Sequence, residues 1–215
     1  MQNLNTMEVT AIITAVANIV VAGGIIFVWK QLGLLRRQFY DDHERSRKQT
    51  LIEVMREWNK EIGPETAAAQ KLVANLDDET CRKIANMQPA QLPKNCLPLA
   101  SATFKGDLKL ASEQSAESLL ELGAEHSAHL RFLAVEYLNV LETSLSAWRL
   151  GIVDLETMED EFSFLIDNSL TDPALTTFRR VLGNRDGFPS LVAFLSHVET
   201  KSAAKSTPDN QLGQN

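Results

Sequence analysis

The sequence is poor in the residues that mark most chemistries. It holds two cysteines, Cys81 and Cys96, at a spacing that fits neither a metal site nor a redox motif. No Gly-rich phosphate loop occurs, and the Gly23-Gly24 pair does not make one. HExxH, GxSxG and CxxC are all missing. His126 and His129 share a helical turn beside Glu125, but the Glu-x-x-His pairs that build a di-iron bundle do not occur once. These absences point away from metal and cofactor chemistry, and a solvated helix face is the expectation for the two histidines. A surplus of positive charge is also lacking. The net charge of -7 argues against nucleic acid as the main partner. No alternating run of β-branched residues appears outside one apolar stretch, and there is no internal repeat, so no strands are expected.

What is present is that apolar stretch. From Val9 to Trp29 the chain reads VTAIITAVANIVVAGGIIFVW, 21 positions without a charged side chain. At about 1.5 Å per residue such a helix spans roughly 31 Å, close to the hydrocarbon thickness of a bilayer. Its five Val, five Ile and one Phe contribute on the order of -4 kcal/mol to insertion at about -0.4 kcal/mol each. Asn18, Thr10, Thr14 and the glycine pair offset part of this. A cleaved signal peptide would need a basic n-region and a shorter apolar run, whereas the only charged side chain before the stretch is Glu8. A transmembrane helix over 9–29 is the expectation.

Charge then sets its orientation. No Lys or Arg precedes Trp29, while Lys30, Arg36 and Arg37 follow at once. The positive-inside bias places residues 1–8 outside and everything after Trp29 in the cytoplasm, with Trp29 at the headgroup level. Lys30, Arg36 and Arg37 are the expected contacts to anionic lipid headgroups, at roughly 1 kcal/mol each. Between Lys30 and Lys48 six basic residues face three acidic ones; beyond Lys48 the remaining fifteen basic and twenty-four acidic residues leave a balance of -9. Residues 30–48 therefore read as a basic stalk, solvated in DDHERSRK (Asp41 to Lys48), and the distal domain as acidic. In a cytoplasmic domain Cys81 and Cys96 are expected as unpaired thiols. Within the span Ala11, Ala15, Asn18 and Ala22 fall on one helix face. Small residues let backbones approach and a buried Asn can hydrogen-bond across, so this face is the candidate seam for self-association.

The rest reads as an all-α bundle over 49–200. The first helix is expected to continue through the stalk, with Gly33 as a point of weakness. Leu51, Met55, Trp58 and Ile62 recur at three and four, and Gly63-Pro64 ends that helix. A second helix starts near Pro64, and Asp77-Asp78-Glu79 cap a short third one through Ile84. Residues 86–107, with Pro89, Pro93 and Pro98, read as a long irregular loop. A helix is expected over 108–122. The strongest pattern follows from about Glu125 to Leu150, where Leu130, Ala134, Tyr137, Leu141, Leu145 and Trp148 form the stripe of a central helix. Gly151 suits its left-handed C-terminal position and Asp154 reads as the next N-cap. Leu155, Met158, Phe162, Leu165 and Ile166 should face the core. Asp172-Pro173 reads as a cap plus first turn, and Pro189 opens a last helix. The tail 201–215 has no apolar pattern and reads as disordered. Asn139 and Glu142 beside the central stripe are expected to make a packing contact, with Glu142 reaching Arg149 or a neighbouring helix. The cluster Glu156, Glu159, Asp160 and Glu161 is expected as a solvated face.

The order of features resembles a bacterial family. An N-terminal anchor and basic segment precede QTLIEVMREWN (Gln49 to Asn59), and later comes YLNVLETSLSAWRLGIVD (Tyr137 to Asp154). Leu138, Asn139 and Glu142, with Gly151, Ile152 and Asp154 about nine residues on, are the most telling positions. Between about Arg45 and Leu182 the chain is similar to the small membrane-anchored proteins grouped as domain of unknown function 4760. The resemblance implies a helical fold at a bacterial inner membrane and brings no catalytic residues.

Anchor, stalk and bundle without a catalytic constellation lead to the expectation of a non-enzymatic interaction or scaffolding module. Its partners would be membrane lipids, an unknown protein and a second copy through the transmembrane helix, with no cofactor. The alternative is a conditional membrane effector, such as one arm of an antiviral or stress response, acting through assembly of its anchors. An enzyme built on Glu142 is the least supported reading.

Overall fold

The computed structural model describes residues 6–104, 119–166, 172–183 and 187–205, without the side chains at 6–13, 15–20, 22, 119, 204 and 205. Two compact units divide the chain, residues 1–47 and residues 48–215. Helix α1 (Thr6–Glu61) contributes to both. It runs unbroken through Gly33, so the expected weakness there does not interrupt it; a Cβ at that position would meet nothing within 4 Å.

In the first unit the described apolar side chains lie open. Val21, Ile25, Ile26, Phe27, Val28 and Trp29 are each more than half exposed, and Leu32, Leu35 and Phe39 are exposed beyond them. Lys30, Arg36 and Arg37 are exposed as well. Among the described residues no helix is long and apolar enough to cross a membrane. Most of the stretch from Val9 to Val20 lies outside the described side chains, and so do Ala11, Ala15, Asn18 and Ala22.

In the second unit most residues of the same kind are covered. Gly63 and Pro64 end α1 and open α2 (Pro64–Ala74), proline standing where the missing N–H is not needed. Asp77 accepts the Thr80 amide at 2.7 Å to cap α3 (Asp78–Ala85). At the other end of α3, Arg131 Nε donates to the Ala85 carbonyl at 3.0 Å. Helix α5 (Ala124–Arg149) is the central element, packed against α2, α3 and α8 (Pro189–Lys205). Its buried stripe is the predicted one: Leu130, Ala134, Tyr137, Leu141 and Leu145, with Trp148 half-buried at the end. Gly151 closes α5 at φ +66°, its amide bonding the Trp148 carbonyl and that of Ile152 the Ala147 carbonyl. This is the left-handed turn that a residue without a Cβ adopts most readily. Asp154 caps α6 (Leu155–Glu161) through the Thr157 amide.

The structure corrects several expectations. The fold is mostly helical but not all-α. Strand β1 (Ala90–Pro93) pairs antiparallel with β2 (Leu119–Leu122), Ala90 opposite Leu122 and Leu92 opposite Leu120. Ala90, Leu92, Leu120 and Leu122 are buried while Gln91 and Glu121 are exposed, a period of two in segments too short to announce it. Residues 86–107 are thus not one irregular loop: β1 leads into a 3-10 turn (Lys94–Cys96) and α4 (Leu97–Thr103). Of the helix expected over 108–122, positions 119–122 are strand and 108–118 lie outside the described residues. Leu155 is exposed rather than buried. The Asp172 carboxylate does accept amides, from Thr176 and Thr177, but the cap is displaced: α7 (Thr176–Val181) starts later, with Leu175 at its N-cap in the left-handed region at φ +49°. Helix α8 runs to Lys205, so 201–205 is helical; 206–215 lies outside the described residues.

Candidate functional site

A groove of about 620 Å³ opens between the C-terminal part of α1 and the middle of α5. Thr50, Glu53, Val54, Glu57, Trp58 and Glu61 line one wall. Their spacings of three and four put them on a single helix face. Asn139, Val140, Thr143 and Ser144 line the other. The Thr143 and Ser144 hydroxyls donate to carbonyls one turn back in α5, those of Asn139 and Val140, at 2.8 and 2.9 Å. With those hydroxyls satisfied by their own helix, Val54, Trp58 and Val140 set an apolar floor.

Trp58 is held rigidly in that floor. Its ring meets Tyr137 edge-on at 5.9 Å and Phe162 at 5.1 Å. Such geometry is worth about 0.5–1.5 kcal/mol per pair beyond the area buried. Tyr137 is fixed in turn, donating its hydroxyl to the Pro173 carbonyl at 2.9 Å, and burial, followed by the Asp172 charge, pushes that phenol's pKa up. The rim is acidic. Glu53, Glu57 and Glu61 are exposed and stand one turn apart. Lys60 Nζ sits 2.8 Å from Glu57 and 3.4 Å from Glu61, and the Gln49 amide lies 3.4 Å from Glu53. The hydrogen bond and charge of Lys60 hold the Glu57 carboxyl below its ordinary pKa, so it is ionised at neutral pH.

The residues singled out in the sequence separate. Asn139 is exposed in the groove, while Glu142, one turn on, points to α8. The Glu142 carboxylate accepts the Ser190 amide at 2.8 and 3.1 Å and the Leu191 amide at 2.9 Å. Pro189 has no amide, so this one side chain satisfies the next two orphan donors of α8, at the positive end of its dipole. Ser146, whose hydroxyl donates to the Glu142 carbonyl, accepts from the buried Ser190 hydroxyl at 3.0 Å. Glu142 is therefore the expected packing contact, directed at a neighbouring helix and not at Arg149.

Glu159 contradicts the expected solvated face. Its side chain is 10% exposed and takes Trp148 Nε1 at 3.4 Å, His197 Nε2 at 3.0 Å and Lys201 Nζ at 2.5 Å. Burial raises its pKa, but the hydrogen bonds from Lys201 and Trp148 and the charges of Lys201 and His197 outweigh this and leave it below the ordinary value. Glu156, Asp160 and Glu161 are exposed. His126 and His129 ring the Phe104 side chain at 5.0 and 6.0 Å, and the described residues hold no cluster fit for a metal ion. Cys81 and Cys96 are separate buried thiols; burial, then the nearby Asp77 and Asp78 charges, pushes Cys81 up to about 12.

Sequence reasoning missed the groove. Its signal was there in the Glu53, Glu57, Glu61 repeat, but the same spacing also describes any solvated helix face, and the opposing wall comes from a helix some 80 positions on. No family model, no curated protein and no solved structure matches the chain.

Proposed function

We propose that this chain is a non-enzymatic interaction or scaffolding module, held at a membrane by residues 9–29, with its helical domain in the cytoplasm and its N-terminus outside. The observation that carries the reading is in α1: from Val21 to Trp29 its large apolar side chains are each more than half exposed among the described residues, and exposed Lys30, Arg36 and Arg37 follow. A contiguous apolar surface of that kind calls for lipid or a partner, and cations beside it suit anionic headgroups. The non-enzymatic part is supported by where the polar groups are engaged. Glu142 caps α8, Glu159 holds Trp148, His197 and Lys201, and Tyr137 holds Pro173.

Two measurements test this. The full chain should float with phosphatidylcholine vesicles in a density gradient and resist alkaline extraction, and an Ile19→Arg, Ile26→Arg variant should not; a wild-type chain left in the aqueous fraction would overturn the reading. A reporter active only in the cytoplasm should work when fused after Asn215 and fail when fused before Met1. The opposite pattern would reverse the topology.

A second reading takes its support from Ala11, Ala15, Asn18 and Ala22 on one face of the apolar run: a conditional membrane effector acting through assembly of its anchors. It requires toxicity on overexpression that an Asn18→Leu variant loses. Toxicity unchanged in that variant would remove it.

A further inference from the structure

We propose that the groove between α1 and α5 is a docking site for a basic amphipathic helix of another protein. This deepens the interaction-module reading and rests on it. The groove wall from Thr50 to Glu61 extends over eleven residue steps, roughly 17 Å at 1.5 Å per residue, which is three turns of a partner helix. Its floor of Val54, Trp58 and Val140 lies between two helices, the setting in which a third helix inserts apolar anchors at three- and four-residue intervals. Trp58 is braced by Tyr137 and Phe162, so its ring offers a surface that need not be ordered on binding.

Charge selects the occupant. Glu53, Glu57 and Glu61 lie along the rim one turn apart, and Lys60 returns one of the three charges. A helix carrying Lys or Arg at four-residue spacing beside its apolar stripe would meet each carboxylate in register. The same row disfavours a second copy of this chain docking through the same face, because its glutamates would oppose one another. Asn139 and Thr143 on the far wall carry no charge, so the acidic rim is one-sided and fixes which edge of the partner helix must be basic.

The test uses the full chain in neutral detergent and three labelled 15-residue peptides. One carries leucines at i, i+3, i+4, i+7 and i+11 with lysines along one flank. The second has the same composition in scrambled order, and the third has glutamates in place of the lysines. Fluorescence anisotropy should show binding of the first only. A Glu53→Gln, Glu57→Gln, Glu61→Gln variant should bind it at least tenfold more weakly and with a shallower salt dependence. A Thr143→Trp variant, which fills the groove and leaves the carboxylates in place, should lose binding, and circular dichroism melts of both variants should match that of the parent. Equal binding of the scrambled peptide, unchanged binding to the Thr143→Trp variant, or no binding of the first peptide would each overturn the proposal. Vesicle flotation fails separately: a chain that floats but ignores the basic peptide breaks the groove assignment and leaves the anchor standing.

Discussion

Leu32, Leu35 and Phe39 lie on the same helix as Leu51, Met55 and Trp58, at the same kind of spacing, yet the first three are exposed and the second three are buried or packed against the core. Periodicity identifies an apolar face in both regions. It does not say what covers the face. Beyond Lys48 the cover comes from the chain's own core, Trp58 meeting Tyr137 of α5 and Phe162; before Arg47 the described chain supplies none. The stability of the protein in water should therefore depend on one region and be indifferent to the other.

The sharpest way to break that contrast is truncation on each side of it. Phe162→Ala removes a fully buried ring that touches Trp58, Phe164 and Phe194, and should cost about 3–5 kcal/mol. Leu35→Ala should change stability by no more than about 0.5 kcal/mol. Chemical denaturation followed by circular dichroism compares them, and equal losses would show that the first region is covered after all.

Smaller effects are expected from the polar fixtures of the second region. Glu142→Gln keeps the shape of the α8 cap and removes its charge, for a loss of about 1 kcal/mol; a loss near zero would mean that the cap is made otherwise. Glu159 titrates lower in the fold than in the unfolded chain. Its ion pairs thus contribute above the unfolded value, about 4.3, and are lost as pH falls through the folded one. Thermal melts should drop on acidification below that value, and drop less in Glu159→Gln. An identical acid limb in both proteins would contradict the assignment.

The smallest effect is a gain. Met87 ends α3 at φ +56°, its amide bonding the Ile84 carbonyl and that of Gln88 the Lys83 carbonyl. It occupies the left-handed position that Gly151 fills after α5. Met87→Gly should stabilise by about 0.5–1 kcal/mol, and Gly151→Ala should destabilise by about as much.

How much of this was legible in the sequence follows from what each signal depends on. Caps and breaks are local. Asp77, Asp154, Pro64, Gly151 and Pro189 all sit where their chemistry placed them. The central stripe of α5 was equally plain, because 26 residues give the 3.6 period room to repeat. Strand β2 was not legible. Leu119 to Leu122 ends a run that scores well as helix, and only pairing with Ala90 to Pro93, some thirty positions earlier, makes it extended. Glu159 was misread for the same reason: its three donors come from α5 and α8, and nothing in the sequence around it announces them. The candidate groove shares that dependence, since each wall alone is an ordinary helix face.

Cysteine accessibility in vesicles tests the central claim most directly. Ile26 is 63% exposed within the chain and Asn59, on the same helix, is also exposed, so without lipid both positions should react freely. The native Cys81 and Cys96 are buried and provide a low background. For the chain in phosphatidylcholine vesicles exposed to a membrane-impermeant maleimide, an Ile26→Cys variant should be protected at least tenfold relative to Asn59→Cys. Equal rates at the two positions would mean that no bilayer covers the apolar run, and would contradict the account.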